Sequence, residues 1–242
     1  VPILRDLGTP QTRVGITLNY TPSYPASGSA EDRGAALRHD GYNNRWFMDA
    51  LFKGHYPEDT WQLFGHLVPR VALGDLELIQ QPVDFLGVNN YTRAVVQAAR
   101  GHFLDGMSLR PAGEYTAMDW EVYPEGLTDL LVRLAKDYGS PPIYITESGA
   151  AYDDKLLPDG QVHDDQRVAY LRKHFAAVHS AIAQGVDLRG YFVWSLMDNF
   201  EWAWGYSRRF GIVYVDFATQ KRYLKDSAKL LAAVARDNAV TV

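Results

Sequence analysis

Glu147 is the residue best placed to do chemistry. It follows the short apolar run Ile143-Tyr144-Ile145-Thr146 and precedes Ser148-Gly149-Ala150. A carboxylate at the end of a buried strand is held stiffly and can serve as a nucleophile, a base or half of an ion pair. A second group lies further on, where Trp194, Glu201, Trp202 and Trp204 fall within 11 residues. Glu201 among aromatics does not read as plain core, because a buried carboxylate without partners costs several kcal/mol. Indole faces beside a carboxylate suit a ligand with C–H faces and hydroxyl edges. Asn19, Asn89 and Asn90 close two other apolar runs.

These residues need a scaffold, and the sequence predicts one. Four short runs read as strands buried on both faces: Val14–Leu18, Val83–Val88, Ile143–Thr146 and Gly190–Trp194. Helices are predicted over Ala35–Phe52, Pro124–Tyr138, from Asp164 or Asp165 to Gly185, and from Ser227 to Asn238. The Pro124 helix carries Leu127, Leu130, Leu131 and Leu134 on one stripe, and the next carries Val168, Leu171, Phe175, Val178 and Ile182. The stretch Arg93–Trp120 has room for a small hairpin, and no linker divides the chain. Alternating strands and helices point to a parallel α/β sheet. Four such units are half of an eight-stranded (β/α)8 barrel. A doubly wound open sheet is the alternative, but neither GxGxxG nor GxxxxGK[ST] occurs. In either architecture, the polar residues at the strand ends mark the ligand-binding edge.

Composition narrows the function classes. The 242 residues carry 24 basic and 29 acidic side chains, a net charge of −5, which argues against nucleic acid or an anionic membrane as partner. No cysteine is present, so thiolate metal sites and cysteine nucleophiles are excluded. The seven histidines are scattered, and His174 and His179 are not spaced for one helix face, so no metal is expected. Asp153, Asp154, Asp159, Asp164 and Asp165 read as a solvated loop with a helix cap. Arg208 and Arg209 read as ion-pair or surface residues. No apolar run approaches the roughly 18 residues of a membrane span, and no secretory leader is visible, so the expected location is cytoplasmic.

Several segments together resemble one family. Ile145-Thr146-Glu147-Ser148-Gly149-Ala150 looks like the nucleophile signature of glycoside hydrolase family 1, the retaining β-glucosidases and their relatives. Val88-Asn89-Asn90-Tyr91-Thr92, Trp120-Glu121-Val122-Tyr123-Pro124, Trp194–Trp202 and Arg209-Phe210-Gly211-Ile212 resemble further segments of that family in the same order. The resemblance implies the C-terminal half of a TIM barrel. It also implies Glu147 as nucleophile, Tyr91 holding that carboxylate, and Glu201 accepting bonds from the C4 and C6 hydroxyls of a sugar. Trp194 would be the stacking floor, Trp202 an indole donor, Asn19 a neighbour of the 2-hydroxyl, Phe210 a wall and Trp120 the aglycone face. Phosphosugar-cleaving relatives replace the Glu-Trp pair with small and basic residues, so Glu201-Trp202 implies an unphosphorylated β-glycoside. Glucose, galactose and fucose preferences stay open, and no cofactor is implied.

One element of the family pattern is missing. The acid/base carboxylate belongs to an Asn-Glu-Pro motif, and this chain has none. The expectation is therefore a chain, 1–242, that forms one half of a single barrel domain. A partner should supply the other half: a cleaved N-terminal fragment, a separately encoded half, or a second copy. A non-catalytic carbohydrate-binding or assembly half-barrel is the rival reading.

Overall fold

The computed structural model describes residues 1–241. Four parallel strands form where the sequence runs apolar. Numbered along the chain, β1 is Gly15–Tyr20 and β2 is Ser23–Pro25; β3 is Phe85–Asn90, β4 is Ala94–Ala98 and β5 is Gly106–Leu109. The later strands are β6 at Ile143–Ser148, β7 at Leu188–Val193, β8 at Val213–Val215 and β9 at Arg222–Leu224. The main sheet has the order β1-β3-β6-β7, all parallel. Each strand thus lies beside its successor in the sheet, as in a singly wound β/α barrel.

The connecting helices include α1 (Pro2–Leu7), α2 (Ala30–Asp40), α3 (Trp46–Lys53), α4 (Glu58–Phe64) and α5 (Asp75–Ile79). Then follow α6 (Pro124–Asp137), α7 (Asp165–Ala183) and α8 (Asp226–Asp237). The α6 stripe of Leu127, Leu130, Leu131 and Leu134 is buried, together with Leu86, Val88, Ile143 and Ile145 from the strands. Each such side chain contributes about 1.5–3 kcal/mol by leaving water. Gly139 and Gly185, at φ 78° and 93°, stop α6 and α7 in a left-handed conformation that glycine adopts without strain.

Two sequence expectations shift. The helix read as unbroken over Ala35–Phe52 is α2 and α3 joined by a π-turn at Gly41–Arg45. The widened turn lets the buried Asp40 carboxylate collect Asn44, Arg45 and, from α6, Arg133. On α7, Ile182 is exposed, whereas Arg167, Tyr170 and His174 are buried with Leu171, Phe175 and Val178. The buried stripe is centred one position away from a purely apolar reading, because it includes a charged residue whose partners are also buried. The expected hairpin after Arg93 is β4 with β5, and β2 adds to β4 in parallel.

The helices cover one face of the main sheet. On the other face, glycines face rings of neighbouring strands: a Cβ at Gly15 would meet the Phe85 ring at 2.4 Å, and one at Gly190 would meet Tyr144 at 2.8 Å. Phe85, Tyr144, Thr146 and Phe192 line an open hollow there, and Phe192 is 58% exposed. Among the described residues, β1 pairs only with β3 and β7 only with β6, so each outer strand has a free edge. The architecture is half of an eight-stranded barrel.

Candidate active site

Register sets the site. β1, β3 and β6 place Asn19 opposite Asn89, and Asn89 opposite Glu147, at their C-terminal ends. The pairing of β3 with β6 slips between Val88 and Asn89, an irregularity that re-aims the residues beyond it. Thr146 donates its hydroxyl to Asn89 Oδ1 at 2.7 Å, tying the two strand ends together. β7 closes up behind: the Trp194 amide donates to the Ser148 carbonyl at 3.0 Å, and a Cβ on Gly149 would lie 1.8 Å from the Trp194 carbonyl oxygen. Only glycine permits that approach.

The Tyr91 hydroxyl donates to Glu147 Oε2 at 2.6 Å, a charge-assisted bond across 56 residues of sequence. Burial raises the Tyr91 phenol far above its ordinary range, and the Glu147 bond and charge raise it further, so it stays a donor. Tyr91 also belongs to an aromatic trio, with its ring 5.1 Å from Trp120 and 6.2 Å from Phe210, which are themselves 6.0 Å apart. Phe210 is buried. Glu201 is near enough to feel Glu147: its carboxyl is shifted upward by desolvation first and by the Glu147 charge second. A carboxylate with a fixed phenol donor, walled by aromatics and with a second carboxylate within the range of its charge, can attack an electrophilic carbon and bind hydroxyls.

The remaining predicted residues are more scattered. Trp202 is 81% exposed on a short 3-10 turn, Trp202–Trp204. Asn19 lines a hollow of its own with Thr21, Tyr42, Asn43 and Trp46. Trp194 lines another with Phe200, Tyr206 and Phe217. The structure thus joins Glu147, Tyr91, Trp120 and Phe210 by direct contact, brings Glu201 into their field, and leaves Asn19, Trp194 and Trp202 around the rim.

Sequence reasoning missed two supports. Arg93 makes a two-pronged ion pair with the buried Glu121 at 2.8 and 2.9 Å, stacks 3.4 Å over Tyr123, and so fastens the segment bearing Trp120. The aspartates read as a solvated loop are divided: Asp154 and Asp164 are buried on Arg167. Nothing in a loop rich in aspartate signals that, since the buried cation lies on α7. Arg209 pairs with Asp198 as expected, whereas Arg208 stacks 4.1 Å over Trp204. Among the described residues, no group of three or more His, Asp or Glu is arranged to hold a metal, and no helix is long and apolar enough to cross a membrane.

The fold is half of a β/α barrel, with Glu147, Tyr91, Trp120 and Phe210 gathered at the C-terminal edge of its strands. The sequence profile of Glycosyl hydrolase family 1 matches residues 2–240, and the chain belongs to that family. It is similar to Beta-glucosidase A of Acetivibrio thermocellus, with 40% identity over 98% of this chain and 54% of the relative. The family 1 β-glucosidase structure from Thermotoga maritima superposes with a TM-score of 0.95 at 39% identity, covering 100% of this chain and 54% of that one. A β-glucosidase from Thermotoga maritima in complex with deoxynojirimycin also superposes, with a TM-score of 0.95 at 39% identity, over 99% of this chain and 54% of that one. The chain spans about half the length of the curated relatives it matches.

Proposed function

We propose that this chain is the nucleophile-bearing, sugar-recognising half of a retaining exo-β-glycosidase, of β-glucosidase type, acting on unphosphorylated β-linked glucosides or oligosaccharides. The observation that carries this reading is the 2.6 Å bond from Tyr91 to Glu147 at the end of β6. The Tyr91 bond holds the carboxylate in one pose. Residues 1–242 belong to one barrel domain, and its other half supplies the proton donor.

In the first step, a Glu147 oxygen bonds to the anomeric carbon as the glycosidic C–O bond breaks. The leaving oxygen takes its proton from the acid/base carboxyl on the other half. Water then releases the sugar from the ester through the reverse proton transfer, so configuration is retained. Glu201 accepts from the C4 and C6 hydroxyls, Trp194 stacks under the ring, and Trp202 donates from its indole. Asn19 lies toward the 2-hydroxyl, Phe210 lines the pocket and Trp120 faces the aglycone. The rim positions of Asn19, Trp194 and Trp202 are consistent with a pocket that closes only when the complementary half is seated. The deoxynojirimycin complex of the Thermotoga relative supports a site of this type for a sugar mimic.

The test combines the chain with a polypeptide carrying the N-terminal half of a family relative and follows 4-nitrophenyl β-glucoside. Activity is expected only in the mixture, and Glu147→Gln should lower it by about a thousandfold or more. Undiminished turnover by Glu147→Gln defeats the assignment. Sugar binding without turnover in every combination would favour the non-catalytic reading.

A further inference from the structure

The two loops that carry the site meet on a single buried guanidinium. Arg167 stands in the first turn of α7 with no side-chain exposure. Its Nε donates to the Ala150 carbonyl at 3.1 Å, three residues beyond Glu147. One Nη2 hydrogen goes to the Arg209 carbonyl at 2.7 Å, one residue before Phe210. The other three N–H groups reach Asp154 twice, at 2.7 and 3.1 Å, and Asp164 at 2.6 Å. All five donors of the fork are therefore used, which lysine cannot imitate.

The same charges run on into the loop after β7. Asp154 accepts from the buried Lys225 at 2.6 Å, and Lys225 also reaches Asp198 at 2.9 Å. Asp198 accepts from the Gly211 amide at 3.0 Å and pairs with Arg209. Asp164, Arg167, Asp154, Lys225, Asp198 and Arg209 thus alternate in sign, three anions with three cations. A buried ionic row of this kind is weak support for stability, because apolar residues of similar volume often stabilise as well. What it does fix is the separation of two backbone points, one three residues beyond Glu147 and one immediately before Phe210, in the loop that also carries Glu201.

We propose that Arg167 is a positioning residue that sets Glu201 against Glu147 by bridging the carbonyls of Ala150 and Arg209. It touches no substrate and acts through both loops. The proposal rests on the glycosidase reading for its kinetic consequence, but its structural consequence can be read without activity.

Arg167→Lys keeps the charge and loses the fork. In the chain itself, amide exchange should rise together at Tyr152, whose N–H bonds to the Arg209 carbonyl, and at Ser195 and Ile212, which pair across the β7 loop. Exchange at β3 should stay unchanged. Unchanged exchange at all three amides overturns the proposal, and so does a rise spread evenly over the fold. In the complemented enzyme, kcat/KM should fall about 10- to 100-fold, since misplacement of about 1 Å can cost that much. Glu201→Gln should then cost far less in the Arg167→Lys background than alone. A merely structural role leaves the two effects additive, and additivity overturns the proposal. Where Arg167→Lys does not accumulate as folded protein, Asp154→Asn takes its place with the same readouts. If the unsubstituted complemented enzyme is inactive, the functional reading fails, and the exchange data still decide the bridge.

Discussion

At the scale of single residues, the site is a problem of two like charges. Glu147 has Tyr91 as a fixed donor, whereas Glu201 is shifted upward by desolvation and by the Glu147 charge. An ionised Glu201 accepts hydroxyl bonds best, so sugar binding should strengthen as pH rises through its elevated pKa and weaken below it. Glu147→Gln removes the second cause of the shift. The acid limb of binding for a neutral sugar should then move to lower pH, as measured by titration calorimetry of the complemented protein. An unchanged limb would mean that the two carboxyls do not sense each other.

At the scale of elements, the sequence was most informative where hydrophobicity and function agree. All four strands of the main sheet, the α6 stripe and the Glu147 strand end follow from short apolar runs bounded by polar residues. It was least informative where a polar side chain is buried by a partner far along the chain. Arg167 and Asp154 look like solvent-facing residues until α7 and the loop after β6 are brought together, and Glu121 looks free until Arg93 reaches it. The π-turn was hidden for the same reason, since its stabilising partner Arg133 lies on another helix. The tightest local demand is at Gly149, where the ends of β6 and β7 touch. Gly149→Ala should destabilise the fold by about 2–4 kcal/mol in urea unfolding, the range of a steric clash that the backbone must relieve. A change within about 0.5 kcal/mol would show that the two strand ends part easily.

At the scale of the whole molecule, two free strand edges and an uncovered inner face cannot stay solvated without consequence. Exposed edges template pairing, and apolar patches associate. Alone, the chain should sediment as more than a monomer at micromolar concentration and bind a hydrophobic dye. The complementary half should suppress both, giving one species of the summed mass. A lone chain that sediments as a dye-negative monomer would argue that the inner face is already covered by other means.

The paired glycines and rings of that inner face carry one more implication. Phe85 lies in the room left by Gly15, and Tyr144 in the room left by Gly190, so each large side chain is accommodated by an absence on the strand beside it. The lumen is therefore tiled sideways between neighbours before anything enters from across the axis. A methyl group added at Gly190 would displace the Tyr144 ring from that room. If the proposed complementary half seats on this face, drift at those glycines would be felt as loss of fit, even where this chain alone kept its own shape.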